Sequence, residues 1–178
     1  MAQCRGGLSI VCGFDLLATL GGDKSDREGL AKQCPVRFTE NDSWSDIFSR
    51  ILVEKVEPNL GNGSVTVLYE YPSVEAALAR ACTHDPRISE RFELYACGVE
   101  LANGFGELTD PVEQRRRFVA EMDLKEKLYG ERYPIDEELL AALALMPPAS
   151  GVALGLDRLI MLATGATRID QVLWTPVN

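Results

Sequence analysis

The stretch GVALGLDRLIML, residues 151–162, decides the fold of this chain. Apolar residues alternate with glycines up to Gly155, and an Asp–Arg pair then opens an apolar run that suits a helix. The pattern predicts a buried strand that runs straight into a helix, with Arg158 at the junction. Glycine lets another group approach the backbone closely, and arginine is a permanent planar cation suited to phosphate. The pattern fits a nucleotide-binding surface, and it also fits a plain strand–helix corner with a solvated arginine.

A second segment, ERFELYACGVELANGFGEL at residues 90–108, is typical of two strands joined near Gly98. Its carboxylates are unusual in so apolar a run, because a buried charge is costly unless it is paired or binds a metal. Along the second strand, Glu100 and Asn103 point to opposite faces if the strand is regular. Glu93 and Glu100 lie seven residues apart, an odd number, so they would also point to opposite faces of one uninterrupted strand. A turn at Gly98 or a bulge at a glycine is therefore needed to bring Glu93 and Glu100 together. The alternative is a solvated hairpin edge whose charges guard against aggregation.

Together the two segments resemble the last part of the catalytic domain of a class II aminoacyl-tRNA synthetase of the lysyl type. Residues 151–158 are similar to the third signature motif of that class, and residues 90–111 are similar to the lysyl-type pattern. The resemblance is closest to the short paralogues without an anticodon-binding domain, which are ligases that attach (R)-β-lysine to elongation factor P. It divides the chain into a weakly matching N-terminal segment, residues 1–41, and the C-terminal part of the catalytic domain, residues 42–178.

The resemblance implies that the site binds ATP and Mg²⁺. Arg158 is expected to contact the γ-phosphate of ATP and is the expected catalytic residue. Glu93 and Glu100 are expected to hold the Mg²⁺ that bridges the ATP phosphates. Gly155 is expected to form part of the floor of the pocket, beneath the adenosine.

The resemblance also implies an amino-acid substrate, lysine or β-lysine. Asn103 and Glu107 are expected to bind it, with Glu107 facing its ε-ammonium, and Ala153 is expected to form the floor beneath it. Lysyl-tRNA synthetases usually carry glycine at the position of Ala153, which favours transfer to a lysine of elongation factor P over the charging of tRNA.

Two family motifs are missing from the sequence. The first motif builds the class II dimer, and the second supplies, within an F-R-x-E core, an arginine for the α-phosphate. The run RFTE at residues 37–40 is the nearest lookalike, but no flanking strand pattern supports it. The expectation is that the chain starts inside the enzyme, just after the second motif.

The remaining patterns predict an α+β fold, a partial class II synthetase core in which a mainly antiparallel sheet is flanked by helices. Ser43 is expected to cap a helix with Asp46 three residues on, and Pro111 suits the first turn of a long helix. A β-branched and aromatic run predicts a strand at residues 65–69. The predicted helices cover residues 25–33, 44–56, 74–80, 111–129 and 135–143.

Composition excludes several classes of protein. At 178 residues and 46% hydrophobic, the chain can form one globular domain. The net charge of −9 argues against an autonomous nucleic-acid binder, and the basic run at residues 115–117 is expected to be a solvated helix face. No apolar run approaches the length of a membrane span.

Cysteine and histidine usage points to a cytoplasmic protein without a zinc site. The five cysteines form no metal-type pairs and are odd in number, which is typical of reduced thiols. The single histidine, His84, lies in a polar stretch beside Asp85, so neither a zinc site nor a Ser–His pair is expected.

Two classes of function stay open. The first is an ATP-dependent ligase that activates lysine or β-lysine as an adenylate, with elongation factor P as acceptor, or alternatively a lysyl-tRNA synthetase. The second is a truncated, non-catalytic remnant. By itself the chain is expected to be inactive, and a sheet edge near residues 65–69 is expected to favour homo-oligomers.

Overall fold

The computed structural model of the chain describes residues 2–3, 14–21 and 24–175. The strands are β1 (Ala2–Gln3), β2 (Leu20–Gly21), β3 (Lys24–Ser25), β4 (Thr66–Pro72), β5 (Ile88–Ala96), β6 (Val99–Gly106) and β7 (Ser150–Leu154). The α-helices are α1 (Arg27–Gln33), α2 (Trp44–Ile51), α3 (Pro111–Tyr129), α4 (Glu137–Leu143) and α5 (Leu156–Thr164). Short 3₁₀ turns cover Leu16–Thr19, Glu57–Asn59, Ser73–Glu75 and Ile169–Gln171.

The central sheet has the strand order β1-β4-β5-β6-β7, and β2 and β3 form a separate antiparallel pair. In the central sheet, β1 runs parallel to β4, and all the other neighbours are antiparallel. The expected α+β fold with a mainly antiparallel sheet is confirmed. The expected strand that leads directly into a helix is present as β7 and α5, but the expectation that this strand is buried is wrong, because none of its residues is buried.

Side-chain caps start the helices where the sequence expected them. Ser43 and Asp46 form a capping box at α2, and Asp110 accepts hydrogen bonds from the first turn of α3, whose first residue is Pro111. The predicted helix over residues 44–56 changes to π-helical geometry at Leu52–Val56. The first helix starts two residues later than predicted, because Asp26 caps it and Lys24–Ser25 pairs with β2.

The helix predicted over residues 74–80 is wrong beyond its first turn. Only Ser73–Glu75 is helical, and the following backbone bonds to the hairpin, with Arg80 N donating to Gly106 O and Glu90 N donating to Arg80 O. Because the hairpin satisfies these backbone groups, no helical ladder is needed there. The predicted strand at residues 65–69 extends instead to Pro72, past an irregularity at Glu70, which has a φ of 60°.

One hydrophobic core joins the N-terminal segment to the sheet. Trp44 stacks on Phe48 with ring centroids 5.3 Å apart, and its Nε1 donates to the hydroxyl of Thr19. Leu16 and Leu68 are fully buried in the same cluster. The C-terminal third is different, since neither β7 nor α5 has a buried residue. No helix in the described part of the chain is long and apolar enough to cross a membrane.

Candidate functional site

A bulge in β6 builds the candidate site. Leu94 of β5 pairs with Ala102, but the next residue, Tyr95, pairs with Glu100, so Leu101 is an extra residue in β6. A bulge of this kind shifts the alternation of side chains by one. Glu100 therefore joins the face of Asn103, from which regular alternation would separate it. The irregularity that the sequence required to bring Glu93 and Glu100 together is present.

The hairpin turn completes this arrangement. Cys97 and Gly98 have φ values of 52° and 72°, as in the tight two-residue turns that favour glycine or asparagine. The turn returns β6 alongside β5 so that Glu93 pairs with Asn103, and Asn103 pairs in turn with Ala153 of β7. The site face is the face of β5, β6 and β7 that carries these three residues together with Glu100 and Glu107.

Glu93 is the most buried carboxylate on the site face, with 6% of its surface exposed. Its Oε2 accepts hydrogen bonds from the hydroxyls of Tyr71 and Tyr95, at 2.5 and 2.7 Å. Its Oε1 accepts from Arg91 at 2.6 Å. Burial, and then the hydrogen bond to Glu93, raises the pKa of the Tyr95 phenol, so Tyr95 stays a hydrogen-bond donor.

Arg158 reaches back from α5 to the start of β6. Its Nη1 donates to the backbone oxygen of Glu100 at 2.9 Å and to Oε2 of the same residue at 3.2 Å. The Arg158 side chain is nonetheless 46% exposed, so its guanidinium can also bind a solvent-side anion. At Gly155 a Cβ atom would lie 3.4 Å from Arg158 Cδ, an ordinary contact distance, so the arginine packs against this position.

Two polar side chains on the site face have a buried atom with no hydrogen-bond partner among the described residues, Asn103 at Oδ1 and Arg91 at Nε. A Cβ atom on Gly151 would overlap Glu107 Oε1. The Glu107 carboxylate is therefore the group that closely approaches the backbone of β7 at this glycine. Unsatisfied buried polar groups are rare in native structures, and they mark places where a ligand can supply the missing partner.

Sequence reasoning missed a fourth carboxylate, Glu57, which lies beside the site face. Burial, followed by the charge of Glu93, raises the pKa of Glu57, and Glu100 adds to the effect. The hydroxyl of Tyr95 lies 3.4 Å from Glu57 Oε1. Glu57 belongs to the 3₁₀ turn after α2, and no sequence pattern links that turn to the hairpin. Tyr71 was missed for the same reason, whereas Arg91 and Tyr95 lie within the hairpin segment and were not singled out as site residues.

The donor set of the site fits Mg²⁺. This ion prefers hard oxygen ligands and usually takes one or two carboxylates together with phosphate oxygens. A carboxylate has about four acceptor positions, and the described contacts of Glu93 use three of them, which leaves one on Oε1. Glu93 can thus add a single metal bond without losing its present partners.

The proposed ligands on the site face do not line either of two cavities in the structure. The structure has a cavity of about 500 Å³ against α3 and another of about 350 Å³ near the ends of β4 and β6. Neither is lined by Glu93, Glu100, Asn103 or Glu107. Ala153 lies on an exposed strand, so the expected floor of the pocket faces solvent in this chain.

The basic run of α3 corrects one expectation. Arg115 pairs with Glu137 and Arg116 pairs with Glu113, as befits a solvated face. Arg117 is only 12% exposed and donates to the backbone oxygens of Ala76, Ala77 and Ala79. The expectation of a solvated face is therefore wrong for Arg117, which joins α3 to the segment before β5.

The other residues singled out from the sequence lie away from the site face. The run at residues 37–40 is part of a loop to which Arg27 donates hydrogen bonds, not of a strand–loop–strand. His84 lies 3.4 Å from Glu70. Cys34, Cys82 and Cys97 are free thiols, and Cys4 and Cys12 lie outside the described residues. Burial raises the pKa of Cys82 to about 11, which keeps this thiol protonated and unreactive.

Comparison with curated proteins identifies relatives that share most of this chain. The chain is 44% identical over 144 residues to an elongation factor P–(R)-β-lysine ligase of Histophilus somni (strain 2336), which covers 80% of the chain and 45% of that ligase. The ligase of Proteus mirabilis (strain HI4320) is 45% identical over 161 residues, or 89% of the chain and 50% of the ligase. The ligase of Sodalis glossinidius (strain morsitans) is 51% identical over 119 residues, or 66% of the chain and 37% of the ligase. The chain spans about half the length of the relatives it matches.

The family described as tRNA synthetases class II (D, K and N) matches residues 39–178. This range contains all the residues of the site face and the strand–helix corner at Arg158. The match confirms the resemblance expected from residues 90–111 and 151–158. The chain therefore belongs to the class II tRNA synthetase family of the D, K and N type.

Proposed function

We propose that this chain carries the magnesium, γ-phosphate and amino-acid contacts of an ATP-dependent ligase that activates lysine or β-lysine as an adenylate. In its full-length form, the ligase would transfer the amino acid to a lysine of elongation factor P. The observation that carries the proposal is the bulge in β6, which places Glu93, Glu100 and Asn103 on one face. The names of the relatives support the choice of substrate and acceptor.

The proposed roles follow from the chemistry of each group. Glu93 and Glu100 would hold Mg²⁺ against the ATP phosphates, and Arg158 would bind the γ-phosphate with its exposed guanidinium. Glu107 would pair with the ε-ammonium of the substrate. Asn103 Oδ1 would accept a hydrogen bond from the substrate. Free thiols at Cys34, Cys82 and Cys97 accord with a reducing compartment, and we place the protein in the cytoplasm.

Titration of Mg-ATP by calorimetry or NMR tests the nucleotide site. We expect affinity at best on the order of millimolar, or about 4 kcal/mol of binding free energy, because this chain spans only half of its relatives. Arg158→Ala and Glu100→Gln should abolish this binding. Arg132→Ala is the matched control, since Arg132 pairs with Asp123 and Glu126 far along α3. Binding that survives Arg158→Ala and Glu100→Gln would show that the nucleotide site lies elsewhere.

A lysyl-tRNA synthetase activity is the second candidate. The residue that separates the two is Ala153, which pairs with Asn103 across the site face. One methyl group in an amino-acid pocket changes selectivity by about 1–3 kcal/mol. In a full-length ligase, Ala153→Gly should therefore shift preference from β-lysine toward α-lysine in adenylate formation. If the variant keeps its preference for β-lysine over α-lysine, Ala153 gives no reason to favour elongation factor P over tRNA as the acceptor.

A further inference from the structure

Arg91 is a direct neighbour of Glu93 that has no part in the proposed roles. Arg91 lies two residues before Glu93 on the same face of β5, and its Nη2 donates to Glu93 Oε1 at 2.6 Å. Oε1 is the oxygen that keeps a free acceptor position, because the two tyrosine hydroxyls occupy Oε2. A metal ion that binds Glu93 therefore shares this oxygen with a guanidinium.

Arg91 is held in place on several sides. Its Nη1 donates to the backbone oxygen of Glu75 at 2.5 Å. Its guanidinium carbon lies 4.3 Å from the centre of the Tyr71 ring and 5.9 Å from that of Phe105. The side chain is 19% exposed. Stacked and hydrogen-bonded in this way, the guanidinium cannot leave Glu93 without losing several contacts.

The second carboxylate is also matched by a cation. Glu100 forms an ion pair with Arg158, so each proposed metal carboxylate faces an arginine before any ligand arrives. Each arginine therefore lowers the net negative charge that Glu93 and Glu100 offer to a free divalent cation, compared with two unpaired carboxylates. A polyphosphate that arrives with the ion supplies that charge.

We propose that Arg91 is a positioning residue that suppresses binding of free divalent cations at Glu93 and Glu100, so that the ion enters with a polyphosphate. The inference rests on the proposed nucleotide site. Arg91 keeps the Glu93 carboxylate in place and lowers its attraction for a lone ion. A triphosphate offsets the two guanidinium charges and restores the affinity for the metal.

Mn²⁺ binding to the whole chain without nucleotide tests this role, with electron paramagnetic resonance reporting the free ion. We expect Arg91→Gln to bind Mn²⁺ at least about tenfold more tightly than the wild type, because a neighbouring positive charge is removed from a partly buried site. Arg91→Met fills the same slot between two aromatic rings and should act in the same direction. Arg80→Gln is the control, since Arg80 pairs with Glu90, and it should leave Mn²⁺ affinity unchanged.

The outcomes separate this inference from the proposed function. Unchanged or weaker Mn²⁺ affinity in folded Arg91→Gln would overturn it and would leave Arg91 as a support for Glu93 only. If Arg91→Gln does not fold alone, Mn²⁺ should restore its thermal transition, and failure to do so contradicts the proposal. In the Arg91→Gln background, Glu93→Gln and Glu100→Gln should remove the added affinity. If they do not, the metal site itself is misplaced and the proposed function loses its support.

Discussion

The site disfavours the charged form of the neighbouring residue Glu57. Burial and the charge of Glu93 raise its pKa above the ordinary value of 4.5. A carboxyl with a raised pKa in the folded state stabilises the fold at pH values below its unfolded pKa. That contribution is lost as pH rises through the folded pKa, because the charged form is disfavoured in the folded protein.

We therefore expect Glu57→Gln to raise the melting temperature at pH 7, and we expect the gain to shrink toward zero as pH falls below 4.5. Thermal unfolding of the variant and the wild type at pH 7, 5.5 and 4 measures this dependence. Glu54→Gln, on an exposed position of the preceding turn, is the control and should show little change. A gain that is the same at every pH would assign the effect to packing instead of charge.

At the scale of elements, α3 is attached mainly by polar contacts. Its only buried residue among those described is Gln114, although the helix has nineteen residues. Arg117 compensates for this, since its Nη1 donates to Ala76 O at 2.7 Å and to Ala79 O at 2.9 Å, and its Nε pairs with Glu113. These backbone oxygens belong to the segment that was expected to be helical.

Arg117→Ala should lower the free energy of unfolding by about 2–3 kcal/mol, because buried carbonyls lose a charged donor. Arg116→Ala removes a neighbouring arginine that pairs with the same glutamate but is 51% exposed. It should cost less than about 1 kcal/mol. Urea denaturation of both variants makes the comparison, and equal costs would mean that the carbonyl contacts of Arg117 add nothing to stability.

At the scale of the whole molecule, β7 forms one edge of the sheet, and on the other side β1 covers part of β4. The strand predicted at residues 65–69 pairs with β1 over Leu68 and Tyr69. By contrast, β7 pairs with no described strand other than β6, and Val152 and Leu154 are 60% and 53% exposed. Helix α5 extends this apolar surface with Leu156, which is 60% exposed. Exposed apolar edge strands pair readily with other chains.

We expect the chain to self-associate at high concentration through β7. Leu154→Lys should reduce the associated fraction measured by light scattering or sedimentation, because a charge on an edge strand opposes pairing. Val65→Lys, at an equally exposed position before β4, is the matched control and should have a smaller effect. A wild-type chain that stays monodisperse and monomeric at high concentration would refute this expectation.

Catalysis also depends on the whole molecule. We expect the 178-residue chain by itself not to catalyse lysine-dependent exchange between ATP and pyrophosphate. It spans about half of the relatives it matches, and positioning and charge stabilisation supply most of the rate in phosphate chemistry. Exchange above background that disappears in Arg158→Ala would show that this half contains everything needed for adenylate formation.

Local patterns in the sequence determined several elements without help from the tertiary structure. The hairpin around Gly98, the strand–helix corner at Gly155 and the start of α3 at Pro111 all depend on residues close together in the chain. Turn glycines, helix caps and apolar periodicity act over a few residues, so they can be read from the sequence. Motifs in the same two segments were enough to identify the family.

Only the tertiary structure decided which of these residues meet. The bulge at Leu101 puts Glu100 beside Asn103, and Glu93 is surrounded by Tyr71, Tyr95 and Arg91 from two neighbouring strands. The contact between Tyr71 and Glu93 joins residues that are distant in the sequence. The position of Glu100 depends on strand register, and a one-residue shift in register moves a side chain to the opposite face of the sheet. The segment after Ser73–Glu75 forms a turn and isolated bridges instead of a helix, and the hairpin and Arg117 bond to its backbone groups.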